Sequence, residues 1–431
     1  MTLFRYFKFI LLVTLLMGVF SGCGQDSNKN KIVVWHWMTD RDDAFIALAN
    51  KYKDLYGVDI VFELYAPSEA YASKVKAAAQ TKTLPDIFGI LGEKRDFASF
   101  IRAGHVADLS FFMNANKGYW KNMLFPKALA VNQFSDGNNL KVKPGIYGVP
   151  IDVTNIQLLY NKAMFKKAGL DPEKSPETWA ELLEVGRKLK AAGLQGISSG
   201  FGEVWLLNCF ASNYAFNILG EEKVLATIKG DVKYTDPDWI KVLSLFEDLR
   251  DNGLLATGVV SMVNKTAEQM FANERAALAF NGSWCINVYN GMNLDIDYGV
   301  FLPPKYSDKY PMSIWGGAGA SFMVNDKSSK KEEAIKFLKW ITEKDQQVFL
   351  AETTKNLPVN KNSLEKVSSN LAEFANDMDK TIHPSLFSYV EFPSVTETFD
   401  KGIQSIIIGE KTPETVAKEV QKVKDKELSR V

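Results

Sequence analysis

Few residues in this 431-residue chain are of a type that could do chemistry, and their spacing excludes most reactions. The three histidines, His36, His105 and His383, lie far apart without ligand spacing, so no metal site is expected. There is no Ser-His-Asp arrangement and no phosphate-cradling glycine loop. Cys209 and Cys285 could pair, but they read better as small buried hydrophobes, since nothing suggests a disulfide framework. What remains is the chemistry of recognition. Glu93 follows Gly89 and Gly92 in the loop after "LPDIFGI", where a backbone close to a ligand could bring a carboxylate to its hydroxyls. Read alone, a lone loop carboxylate of this kind is more simply a solvated surface group. Trp37, Trp284 and Trp315 stand at strand ends beside glycine, serine or polar residues, whereas Trp179 and Trp340 fall on apolar helix faces and belong to a core.

One further reactive position, Cys23, closes an N-terminal segment that is set apart from the fold. Arg5 and Lys8 precede an apolar run at residues 9–20, which is 12 residues long and short of the roughly 20 a spanning helix needs. A basic start, a short apolar middle and the small residues Ser21 and Gly22 make a secretory signal. "FSGC" resembles a bacterial lipoprotein signal, which implies that residues 1–22 are removed and that Cys23 carries a diacylglyceryl thioether and an acyl chain such as palmitate. Residues 23–31 then form the lipidated cysteine and a polar tether.

Beyond the tether the chain alternates strand and helix. "KIVVWHW", "GVDIVFEL" and "LPDIF" read as strands, separated by a helix over 42–56 and a second in "AYASKVKAAAQ", the order of a parallel sheet with crossover helices. Another helix is expected in "SPETWAELLEVGRKLKAAG", with Ser175 as N-cap and Gly193 as its stop. About 400 mature residues exceed one core, so two lobes are expected. The even balance of 51 basic and 51 acidic residues gives no reason to expect a nucleic-acid partner.

Read in order, "KIVVWHWMTDRDDAFIALANKYKDLYGVDIVFEL", "YGVPIDVTNIQLLYNKAMFKKAGLDPEKSPETWAEL", "MFANERAALAFNGSW" and "GGAGASFMVNDKSSKKEEAIKFLKWITEKDQQ" resemble the family 1 extracellular solute-binding proteins, carbohydrate receptors of ABC importers. The resemblance implies an α/β, two-lobed, periplasmic-binding-protein-like fold with crossover hinge strands and a ligand cleft between lobes. It implies a first lobe of residues 32–151 and 301–344 and a second of 152–300 and 345–431, with crossings near 150–155, 298–304 and 342–347. Carried over position by position, the cleft comprises Trp37, Thr39, Asp40, Glu93, Asp152, Thr154, Trp205, Trp284, Trp315, Gly316 and Gly317, with Tyr389 from the C-terminal part. The implied function is a monomeric receptor without cofactor or catalysis. It would be lipid-anchored on the extracytoplasmic face of the cell membrane, or in a periplasm where there is an outer membrane, and would deliver a sugar to a permease. The alternatives are an exported glycoside hydrolase with a carboxylate pair such as Glu93 and Asp152, or a receptor for a non-sugar solute.

Overall fold

The structure is a computed structural model, and it describes residues 31–66, 68–92, 94–367, 369–383, 387 and 389–430. The signal segment, Cys23, the tether up to residue 30 and Glu93 lie outside the described residues.

The first strand, Lys31–His36, alternates half-buried and buried residues, which places Ile32, Val34 and His36 on the core side. It pairs in parallel with Asp59–Leu64 on one side and Ile87–Gly89 on the other. The intervening helix Asp42–Tyr56 buries Phe45, Leu48 and Tyr52 against this sheet, as its apolar spacing predicts. Two strands from later in the chain complete the sheet: Ser321–Val324 runs antiparallel beside Ile87–Gly89, and Val149–Pro150 lies beyond it.

A second sheet of seven strands is organised on one long element, Asp152–Asn161, all ten of whose residues are buried. Every position of the strand has a partner in at least one neighbouring strand. Its first half pairs with Ile314–Ala318 and Leu357–Pro358, and its second half with Leu278–Gly282 and Tyr298–Phe301. Helices Trp205–Leu219, Pro237–Asp251, Pro393–Ile407 and Pro413–Leu428 contribute to the core of this lobe. Helix Trp179–Ala191 also belongs here, but it is capped three residues later than the sequence suggested. The Thr178 hydroxyl accepts from the Glu181 amide while the Glu181 carboxylate accepts from the Thr178 amide, a reciprocal cap that "TWAE" encodes and Ser175 does not. Gly193 follows the helix with φ +68, a conformation that favours glycine.

The chain passes between the sheets at Ile151, again at Gly319 and Ala320, and a third time where Leu357 joins the second sheet. Residues 298–304, expected to hold a crossing, instead supply an inner partner of the long strand, because the β-branched and aromatic run "YGVF" completes that strand's second half. Residues 342–347 lie beside the hinge. Gln347 donates to the Ile151 carbonyl and accepts from the Val359 amide, tying the first passage to the third.

A buried ion pair sits where the passages meet. Arg41 Nη1 lies 2.6 Å from Asp152 Oδ2, and Asp152 Oδ1 accepts from the Ala320 amide at 2.6 Å. Arg41 also donates to Asn356 Oδ1, and Asn356 Nδ2 donates to Asp40. Burial pushes the Asp152 carboxyl up while Arg41 beside it pulls the other way. Removing one member of a buried pair strands the other, so Asp152→Ala is expected to lower unfolding stability by about 3 kcal/mol in urea denaturation. A midpoint within error of the wild type would show that the pair does not hold the hinge.

Candidate functional site

A cavity of about 680 Å³ opens between helix Trp205–Leu219, helix Pro393–Ile407 and the stretch that precedes the latter. Its walls are mainly apolar and aromatic, with Phe216 and Phe399 among them, and Gly92 and Lys94 reach it from the first lobe. One face of helix Trp205–Leu219 supplies Trp205, Asn208, Ser212 and Ala215, spaced three or four apart as one helical stripe must be.

Three of the expected residues line this cavity: Trp205, Trp315 and Tyr389. Trp205 is 39 % exposed and its ring centroid lies 6.0 Å from that of Trp284. Trp284 is half-buried on Gly282, where an added Cβ would fall 1.9 Å from the indole. Its ring nitrogen bonds Glu268, whose carboxyl burial pushes up against hydrogen bonds from Asn281, Trp284 and Asn264. Trp315 is half-buried with its ring 4.5 Å from that of His383, and its amide donates to Asn213 Oδ1. Tyr389 is half-buried, and Lys229 Nζ lies 5.0 Å from its ring centroid.

Among the described residues, the other expected ones do not line this cavity. Trp37 covers Gly89 at the end of a first-lobe strand and packs on Tyr71 at 5.1 Å. Thr39 and Asp40 are exposed, and Asp40 is bonded to Arg41 and Asn356. Asp152 is spent on Arg41 and Ala320 in the hinge, and as one of the two carboxylates of the hydrolase alternative it is thereby engaged. Thr154 is buried, with its hydroxyl 3.0 Å from that of Ser283. Gly316 is in close interstrand packing, since a Cβ there would meet the Thr154 carbonyl at 2.6 Å, and Gly317 faces Val131 at 3.0 Å.

The structure also brings in residues that the sequence did not single out. Asp400 is buried and accepts from Asn208 Nδ2 at 3.0 Å. Glu391 is held by Lys424 Nζ at 2.7 Å and by the Tyr234 hydroxyl at 3.0 Å. His383 is driven down to about 3 by burial and by the nearby Lys94 charge, so its ring is neutral. Asn208 and Ser212 share their helix with Asn213 and Asn217, which bond elsewhere, so polarity along the helix gave no sequence signal for this wall. From the first lobe, Arg95 donates to the carbonyls of Val390 and Glu391, and Asn139 exchanges hydrogen bonds with Val390 at 3.3 Å, so both reach across to the cavity's edge. Cys209 and Cys285 are free, buried thiols. Among the described residues no group of three or more His, Cys, Asp or Glu is placed to hold a metal ion.

Two sheets joined by three passages, with an aromatic cavity where the halves meet, define a two-lobed solute-binding protein. The family model described as bacterial extracellular solute-binding protein matches residues 47–379, and the chain belongs to that family. A multiple sugar-binding protein of Streptococcus mutans is 26 % identical over 277 residues, which span 62 % of this chain and 61 % of that relative. A glycerol-3-phosphate-binding periplasmic protein of Brucella melitensis is 24 % identical over 342 residues, 77 % of this chain and 75 % of that one. The structure of a chitin oligosaccharide binding protein superposes with a TM-score of 0.74 at 24 % identity, covering 92 % of this chain and 98 % of that one. The fold is thus the two-lobed solute-binding fold of the maltose-binding type.

The two paired indoles are set differently into the fold. Trp205→Ala removes a ring already open to solvent and is expected to cost about 1 kcal/mol or less, whereas Trp284→Ala, which leaves a gap over Gly282 and takes a donor from Glu268, is expected to cost about 2 kcal/mol or more. Urea midpoints of the two variants check the order, and a reversed order would be inconsistent with this geometry.

Proposed function

We propose that this protein is the sugar-binding subunit of an ABC importer, holding a saccharide in the cavity between its lobes and presenting it to a membrane permease. The observation that carries this reading is the wall itself. Trp205, Trp315 and Tyr389 surround about 680 Å³ into which Asn208 and the buried Asp400 bring polar groups. A pyranose has an apolar C–H face that packs on an indole and a rim of hydroxyls that pair with carboxylates and amides. A hydrogen bond to a charged partner contributes about 1.5–3 kcal/mol, so one buried carboxylate fixes orientation while the rings supply contact area. The sugar-binding names of the relatives support the class of ligand. On sheet membership, we assign residues 32–151 with 319–354 to the first lobe and 152–318 with 357–430 to the second, in a protein that acts as a monomer. The cleft lies on the cavity side of the hinge, with Trp284 beside Trp205 at its edge and Glu93, Trp37 and Thr39 as the first lobe's contribution.

Titration with a panel of mono- and oligosaccharides, followed by tryptophan emission and by chromatography of the sugar, tests the reading. A saturable change with the sugar recovered intact is expected. Hydrolysis of the sugar, or silence across the panel, would sink it. Trp315→Ala and Trp284→Ala are each expected to weaken binding about tenfold or more, about 1.4 kcal/mol, by the same titration.

We further infer that Cys23 is the mature N-terminus and carries the lipid, with residues 24–30 as its leash. Stable anchoring requires two acyl chains or more, which a diacylglyceryl thioether provides. Cys23→Ala is expected to move the protein from the detergent phase to the aqueous phase in Triton X-114 partition. Unchanged partition would exclude Cys23 as the anchor.

A further inference from the structure

Lys94 is the cation that the sugar reading leaves unexplained. It opens helix Lys94–Arg102, is 6 % exposed, and lines the main cavity from the first lobe. It also lines a second cavity of about 260 Å³, more polar than the first, whose wall includes Gln133, Ser135 and Gly145. Phe387 and Lys94 are common to both cavities, so Lys94 stands at their junction.

Its protein partners are neutral. Nζ donates to the carbonyls of Val131 at 2.6 Å and Gln133 at 2.7 Å, and stands 4.2 Å from the centroid of the Phe134 ring. Among the described residues no carboxylate ion-pairs with it, and burial is the cause that moves its pKa. A buried charge without a counter-charge is costly, and a neutral amide side chain could tie the same two carbonyls. The carboxylates that line the main cavity are on the other lobe and are engaged: Glu391 with Lys424 and Tyr234, Glu397 with Lys401, and Asp400 with Asn208.

We propose that the ligand is an anionic saccharide, a sugar bearing a carboxylate or phosphate group, whose anion is the counter-charge of Lys94 at the junction of the two cavities. This inference rests on the sugar reading and adds the ligand's charge. It also carries a signature in pH. In the empty protein, burial holds Lys94 down to about 7. A bound anion draws that value back up, so binding above neutrality takes up a proton and affinity falls as pH rises through 7.

Other groups around Lys94 do not mimic this. His383 is held near 3 and stays neutral, while Cys209 and Tyr234 are pushed upward by burial. Arg95, on the same helix, is engaged by the carbonyls of Val390 and Glu391. Residues 131–134 contribute no titratable side chain. Tyr389, Glu391, Glu397 and Asp400 complete the set on the cavity wall.

The test uses the mature protein with trigalacturonate, glucuronate and glucose 6-phosphate against maltotriose and glucose, at about pH 6 and pH 9. Tryptophan emission gives affinity, and calorimetry in buffers of different ionisation enthalpy gives proton uptake. An anionic member is expected to bind about tenfold tighter than its neutral counterpart at the lower pH. That advantage should shrink at the higher pH, be accompanied by proton uptake, disappear in Lys94→Gln and survive in part in Lys94→Arg. The uronate and phosphate arms tell which anion is meant. A neutral sugar bound equally well at both pH values and by Lys94→Gln would overturn the inference and leave the sugar reading standing. No saccharide of either kind bound would overturn both. Should Lys94→Gln fail to fold, the pH series on the wild type decides.

Discussion

The ion pair between Arg41 and Asp152 is the constraint on which the two-lobed arrangement rests. Asp152 is the first residue of the long strand, and its carboxylate also caps the returning passage through the Ala320 amide. Arg41, at the start of the first helix, reaches from there to Asn356, one residue before the third passage. One guanidinium thus fixes the relative positions of three crossings that are far apart in sequence. Charge is suited to that task because a buried pair tolerates little misalignment, where an apolar contact would slide.

On the side of the lobes away from these passages the contacts are of another kind. Arg95 and Asn139 meet backbone carbonyls and an amide near Val390 instead of a buried counter-charge. Such bonds exchange readily with water, so their net contribution is small. A strong joint on one edge and weak, reversible bonds on the other suit a protein that must take up and release a solute.

Much of the scaffold was legible in the sequence. The β-branched run at 31–36, the helix over 42–56 and the strand "LPDIF" occur where their periodicity placed them, since local pattern and tertiary burial agree there. The passages were less legible, because "YGVF" reads as a strand but nothing local says which sheet it joins. Of the residues that line the cavity, Trp205, Trp315 and Tyr389 are singled out through a family pattern, whereas Asp400, His383 and Lys94 are not. Helix Trp205–Leu219 is buried nearly all round, so its polarity does not reveal which side faces a ligand. Lys94 and Asp400 become neighbours of one cavity across some three hundred residues, a relation that periodicity cannot encode. Asp152 shows the opposite case: the resemblance carries it over as a ligand group, and only the geometry shows that a guanidinium pairs with it.

The interleaving of the two sheets also governs when the chain can fold. Ser321–Val324 lies between Ile87–Gly89 and Val149–Pro150, and the long strand waits for Leu357–Pro358. Neither sheet can be completed until more than three quarters of the polypeptide has left the ribosome. Pairings of such long sequence separation form slowly, because loop closure precedes any gain from contact. For a protein of an extracellular family that delay is useful. A chain that cannot lock either half during synthesis remains in a form that a secretion channel could thread.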